Sequence, residues 1–257
     1  MKNAYVTGAS QGIGKEFARA LAKEYNVFLV SRSQSDLNSA IAELEPMSKG
    51  MLKSISLDLS KKKGQEEFSE ILKKDPDFEL LVNNAGFGTV GEFATLDLER
   101  ELEEINLNVK ALVTFSHVAI NAFKKRKKGF IINVASIAGF LPAPGSATYA
   151  ATKAYVKSFT EAIHEEASPY GIYVQSLCPG LTHSDFHQRA GIEKSKYPNI
   201  MWQTASEVVE ESLNALRSNS AVCITGTINQ GLVGLTGILP RSWVRKTAAR
   251  FMESSEK

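Results

Sequence analysis

The 257-residue chain carries 30 Lys and Arg against 28 Asp and Glu, a formal net charge of +2, with 43% hydrophobic and 23% charged residues. So even a balance excludes the basic surface on which nucleic-acid binding depends, and the apolar share suits one globular unit with a substantial core. No run reaches the roughly 20 apolar residues of a membrane span; the start "MKNAYVTGAS" lacks the apolar core of a signal peptide, and Cys178 and Cys223 lie far apart without metal-ligand spacing, so a soluble, cytoplasmic protein with free thiols and no metal is expected.

The first strand is expected over residues 3 to 9, "NAYVTGA", and it runs into the turn "TGASQGIG" and a helix, "GKEFARALAKEY", with apolar residues three and four apart. Gly8, Gly12 and Gly14 would let this turn close and bring backbone N–H groups to an anion at the helix start. The spacing differs from the G-x-G-x-x-G dinucleotide fingerprint, and a glycine-rich turn without a ligand is the plain alternative. The second strand, 26 to 31, ends "LVSRS", with no acid before Asp36. A site preferring NAD usually has an acid there for the ribose 2′-hydroxyl, whereas Arg32, flanked by Ser31 and Ser33, suits a 2′-phosphate. Lys15 adds charge nearby; a solvated arginine at a strand end is the alternative. Asp58 closes the third strand (52 to 57), placed either to accept from an adenine amine or to cap the next helix.

The fourth strand, 78 to 85, ends in "NNAG", and one long helix is expected over 98 to 125, closing on a basic cluster. The fifth strand, 129 to 136, ends at Ser136. After it comes "YAATKAY", which on a helix puts Tyr149 and Lys153 on one face, one turn apart. The sixth strand, 172 to 178, leads into "PG" at Pro179 and Gly180, and the seventh covers 221 to 226. Strands apolar on both faces, alternating with helices, imply a doubly wound parallel sheet with ligands beyond its carboxyl ends. With no linker, repeat or low-complexity run, residues 1–257 read as a single domain.

Together T7-G8-x-x-x-G12-x-G14, N83-N84-A85-G86, Asn106, Ser136, Y149-x-x-x-K153 and P179-G180 with Thr182 resemble the short-chain dehydrogenase/reductase family, from residue 3 to about 185. The resemblance implies a Rossmann-type α/β fold of about seven strands and NADP(H) held by Gly8, Ser10, Gln11, Gly12, Ile13, Gly14, Arg32, Ser33, Asp58, Leu59, Asn84, Ala85, Gly86, Tyr149, Lys153, Pro179, Gly180 and Thr182. Gln11 stands where many NADP-using members carry a base, which leaves more of the 2′-phosphate to Arg32. It also implies Tyr149 as general acid, Lys153 as its partner and ribose ligand, Ser136 as donor to the substrate oxygen, and Asn106 as organiser of the proton path. Asn108 competes for that last role; Asn106 is preferred because the family's Asn-Leu pair begins there. A cation ~4 Å from a phenol at an effective dielectric of about 20 is worth roughly 4 kcal/mol, about three in pKa before desolvation, so Lys153 is expected to lower Tyr149.

Beyond residue 180 the chain turns to its own substrate. Residues 181–203 form a long aperiodic stretch rich in aromatics, the usual mark of a functional loop. Phe186 and Trp202, with Phe87 and Phe140, are expected to line an apolar cleft; packing against the protein alone is the alternative. Residues 231–257 pair apolar positions with Arg241, Arg245, Lys246 and Arg250, as a helix covering the core or a subunit neighbour, or else touching a membrane surface. The expected activity is hydride transfer between NADP(H) and an apolar carbonyl/alcohol substrate (ketone, steroid or acyl compound) by a homo-dimer or homo-tetramer. The competing reading is a nucleotide-binding sensor or scaffold of the same fold.

Overall fold

A computed structural model of the chain describes residues 1–184, 198–240 and 242–246. Strands β1 (Asn3–Thr7), β2 (Asn26–Ser31), β3 (Leu52–Ser56), β4 (Phe78–Asn83), β5 (Gly129–Val134), β6 (Ile172–Cys178) and β9 (Val222–Ile224) form one sheet in the order β3-β2-β1-β4-β5-β6-β9. Every pairing in it is parallel, so the Rossmann-type expectation holds. Two short strands, β7 (Leu181–His183) and β8 (Trp202–Thr204), pair outside it.

Alternation along each strand divides the core between the two faces. In β1, Ala4 and Val6 point to one side, where α1 (Gly12–Leu21), α2 (Gln34–Leu44) and α7 (Ala205–Arg217) contribute Phe17, Leu37, Leu44 and Val208. Tyr5 points to the other, against Phe68 of α3 (Lys62–Lys74), Phe115 of α5 (Leu112–Lys124) and Ile163 of α6 (Ala147–Ala167). Burying each of these rings and branched chains contributes about 1.5–3 kcal/mol before the entropy of ordering is subtracted.

The strand order reverses between β1 and β4, and the crevice beyond their carboxyl ends is where such sheets bind ligands. Its two walls are tied together by the loop after β4. The Thr7 hydroxyl accepts the N–H groups of Asn84 and Ala85, both at 2.9 Å, while the Asn84 amide donates to the carbonyls of Thr7 and Gly8. Gly14, in the first turn of α1, lies so close to the turn after β1 that a Cβ there would stand 2.3 Å from the Gly8 carbonyl oxygen. Below this crevice Asn83 donates to Ser116 and Asn133, and Asn133 to Thr160, a fully buried polar ladder joining β4, β5, α5 and α6.

The single helix expected over 98 to 125 is interrupted. Helix α4 (Leu98–Ile105) passes into a π-helical segment, Asn106–Ala111, before α5 resumes. The wider turn rotates every later side chain relative to an unbroken α-helix. The C-terminal part is helix α8 (Thr227–Ile238) followed by a helical turn at 242–246.

Candidate active site

A cavity of about 830 Å³ runs along the carboxyl end of the sheet. One end lies where β2 and β3 stop, at Arg32, Ser33, Asp36, Asp58 and Leu59. Its middle is the glycine turn, with Gly8, Ser10, Gln11, Gly12 and Ile13 facing Asn84, Ala85 and Gly86. The far end holds Ser136, Tyr149, Lys153, Pro179, Gly180 and Thr182. Nearly all the residues expected at a cofactor thus line one continuous space. Gly14 is the exception: it lies behind the turn and serves helix packing.

Several of these positions have local structural duties as well. Gly8 and Gly12 are left-handed, at φ +65° and +55°, a conformation that costs other residues free energy. Ser33 caps α2 by accepting the Asp36 N–H at 3.2 Å. Asp58 accepts from the Ser60 amide and hydroxyl and so closes its own turn; it does not cap the next helix, because α3 begins after Lys61 with no side-chain cap, and it faces the cavity. Arg32 is exposed, and its guanidinium makes no hydrogen bond or ion pair with the described residues, which leaves it for an anion at the cavity end. The elongated shape, the glycine turn at a helix N-terminus and this unpaired cation fit a dinucleotide laid across the sheet.

At the far end, α6 brings Tyr149 and Lys153 into the cavity one turn apart. Ser136, at the end of β5, is hydrogen-bonded to the Tyr149 phenol and also accepts the Ala138 N–H at 3.1 Å. Lys153 is 6% exposed, donates to the Val134 carbonyl at 2.8 Å and stands 5.6 Å from the Tyr149 ring centroid. Burial pushes Tyr149 up to about 12, against the Ser136 hydrogen bond, and the Glu104 charge pushes the same way. This corrects the lowering expected from Lys153: desolvation outweighs it, and the ammonium's hydrogen bond goes to the Val134 carbonyl. Burial likewise lowers Lys153 to about 8.

The asparagine assignment is corrected too. Asn106 lies outside the site, on a separate shallow pocket with Lys61, Gln65 and Lys110, and its carbonyl accepts from Gln65. Asn108 is the buried one. Its amide nitrogen donates to the Phe87 carbonyl at 2.8 Å and to Thr152 Oγ1 at 3.2 Å, and its Oδ1 accepts the Phe87 N–H. The π-helical register turns Asn108, not Asn106, toward α6. A Cβ on Gly86 would lie 2.8 Å from Asn108 Oδ1 and 3.7 Å from Lys153 Nζ, which shows how tightly this corner is closed.

The substrate-side expectations divide. Phe87 lines the cavity, with the Arg100 guanidinium 3.8 Å from its ring centroid. Phe140 does not line it: its ring packs against Leu112, Ala135, Val156 and Cys178, with Lys157 over its face at 5.1 Å. Trp202 is 8% exposed and stacks on His183 at 5.1 Å, so it supports the β7–β8 ribbon and its neighbour Met201 reaches the cavity instead. Phe186 lies outside the described residues. Leu141 and Pro142, in the segment 139 to 146 that the sequence also offers for the cleft, line the cavity, and the wall that sequence reasoning missed is Leu232, Leu235, Leu239 and Trp243. The C-terminal segment therefore borders the site; Arg245 and Lys246 are exposed on it, and Arg241 and Arg250 lie outside the described residues. No helix among the described residues is long and apolar enough to cross a membrane, and no cluster of metal-ligating side chains occurs among them.

The sequence is 32% identical to a very-long-chain 3-oxoacyl-CoA reductase of Phaeosphaeria nodorum over 87% of this chain and 67% of that one. It is 30% identical to 17-beta-hydroxysteroid dehydrogenase type 3 of Danio rerio over 91% of this chain and 75% of that one. The match covers 53% of the length of the very-long-chain 3-oxoacyl-CoA reductase of Coccidioides immitis and 80% of that of Rattus norvegicus. In structure, a short-chain dehydrogenase from Sphingobium yanoikuyae in complex with NADPH superposes with a TM-score of 0.84 at 28% identity, over 94% of this chain and 97% of that one. The short chain dehydrogenase family model matches residues 2–195. With that match spanning the glycine turn, the Ser136–Tyr149–Lys153 set and the whole sheet up to β6, this chain belongs to the short-chain dehydrogenase family of oxidoreductases.

Proposed function

We propose that the protein is an NADP(H)-dependent oxidoreductase that interconverts the carbonyl and alcohol forms of a bulky, apolar substrate: a ketone, steroid or acyl compound. The observation that carries this reading is one cavity with the hydrogen-bonded Ser136–Tyr149 pair and Lys153 at one end and the unpaired Arg32 at the other. When bound, the nicotinamide supplies or accepts the hydride. Tyr149, protonated across the physiological range because burial holds it near 12, gives its proton to the oxygen as the carbonyl is reduced, since an alkoxide is the stronger base. Ser136 donates to the same oxygen as charge develops there. Lys153 keeps a positive charge beside the phenolate left behind and offers a donor to the ribose.

Preference for NADP(H) rests on Arg32 and on the place of the first acid, Asp36, which sits in the first turn of α2 and not at the end of β2. The NADPH complex of the Sphingobium enzyme supports the same choice. Apolar substrates are supported by Phe87, Leu141, Met201 and the α8 leucines around the mouth, and by the relatives that are named for 3-oxoacyl-CoA and hydroxysteroid chemistry. A protein that only senses a nucleotide has no use for a buried acid paired with a serine.

The test is NADPH and NADH oxidation against a homologous series of ketones and 3-oxoacyl thioesters. At about 0.8 kcal/mol per buried methylene, kcat/KM should climb several-fold per added CH2 until the cavity is filled. A flat profile, a preference for small charged substrates, or equal use of NADH would overturn the assignment.

A further inference from the structure

We propose that Glu104, with Glu101 behind it, is a positioning residue of this site: its carboxylate orients the Asn108 amide at the corner that Asn108 shares with Lys153. The inference rests on the role given above to Lys153. In sequence "LERELEEI" looks like a solvated acidic helix, yet Glu101 is 3% and Glu104 0% exposed. Four donor groups hold the pair. The Thr89 N–H donates to Glu104 Oε2 at 3.1 Å and the Thr89 hydroxyl reaches both carboxylates, while Thr148 on α6 donates to Glu101. The fourth comes from Asn108, whose Nδ2 lies 3.4 Å from Glu104 Oε1.

That last contact has a directional consequence. An Asn amide can be turned either way, and here an acceptor-only carboxylate, the Phe87 carbonyl and Thr152 all face one end of it. Nδ2 is thereby held toward α4, and Oδ1 is left on the side where Gly86 separates it from the Lys153 ammonium by less than a side chain. A free acid in place of the carboxylate would present a donor and weaken that orientation.

The ionisable groups around Glu104 are few. Glu101 lies on its own helix, and Tyr149 and Lys153 face it from α6; the loop 84–91 brings none. Arg100, which stacks on Phe87 at the cavity, pairs with Glu103, and Cys178 lies beyond Lys153 and is pushed up by burial. Burial is the main cause that lifts Glu104 to about 7, with Glu101 adding to it and Lys153 opposing. Reciprocally, Glu104 leads the groups that resist the lowering of Lys153 by burial. Around neutral pH the carboxylate therefore comes on as pH rises, and with it the support for the ammonium.

The experiment is a titration of the lysine side-chain signals by NMR in the full chain, with Lys153 assigned through Lys153→Arg. In Glu104→Gln the Lys153 midpoint should fall by roughly one pH unit, a tenfold change in its ionisation constant, and Glu104→Asp should keep it close to wild type. An unchanged midpoint in Glu104→Gln overturns the proposal. If that variant does not fold, the wild-type titration decides: the Lys153 signal must show a second inflection where Glu104 ionises, and a single transition refutes the coupling. None of these readings needs turnover, so a chain that reduces no carbonyl would sink the assigned function and leave this test intact. With turnover established, the high-pH fall in kcat should move down with the Lys153 midpoint, a displacement that a merely structural Glu104 would not produce.

Discussion

Replacing Glu104 by glutamine should make the fold more stable at pH 8 than at pH 5, relative to wild type. The side chain is fully buried and its carboxyl is raised from 4.5 to about 7, chiefly by desolvation. An acid whose folded pKa lies above its unfolded one binds more protons in the native state, so stability declines as pH climbs from the unfolded value to the folded one and is level above it. The difference of about 2.5 in pKa corresponds to about 3 kcal/mol, at about 1.4 kcal/mol for each. Glutamine does not ionise and escapes this loss, while its carbonyl can still accept the Thr89 N–H. Any fixed cost of exchanging acid for amide is the same at both pH values and cancels. Urea unfolding of the two proteins at pH 5 and pH 8 should therefore show the variant gaining about 2–3 kcal/mol between them. A difference that stays constant with pH would mean that Glu104 is not a desolvated carboxylate, and the reasoning would fail. The expected result would also show a residue kept for the site at the expense of the fold.

Three other outcomes are expected. Tyr149→Phe should lower kcat by about 10²–10⁴, the range for a lost general acid, with NADPH affinity by calorimetry nearly unchanged; substantial residual turnover would exclude Tyr149 as the donor. Arg32→Ala should weaken NADPH binding and leave NADH binding alone, abolishing the preference, and an unchanged ratio of the two affinities would remove Arg32 from 2′-phosphate recognition. Asn108→Ala should cut kcat strongly, whereas Asn106→Ala should leave it near wild type, because only Asn108 reaches the corner with Lys153; the reverse pattern would contradict the π-helical register.

The features legible in the chain are those fixed by neighbours within a few residues. Two-sided apolar runs such as "FELLVN" mark strands covered on both faces, and their alternation with helical periodicity gives a parallel sheet. The turn from Gly8 to Gly14 is a local backbone requirement, and the spacing of Tyr149 and Lys153 is a property of any α-helix. What escaped the sequence depends on distant segments. Asn106 and Asn108 are two residues apart in one helical pattern, and a π-helical segment stabilised by tertiary packing decides which faces α6. Phe140 and Trp202 carry the same apolar signal whether they meet a cavity or other side chains; the contacts with Lys157 and His183 settle it. The acidity of Tyr149 follows from how much water the fold removes around it, which outweighs a cation whose presence alone the spacing can state. Glu101 and Glu104 show the same limit most plainly. Charge on a helix is written in the sequence, but only the packing of α4 against α6 and the Thr89 loop turns two ordinary acids into buried ones.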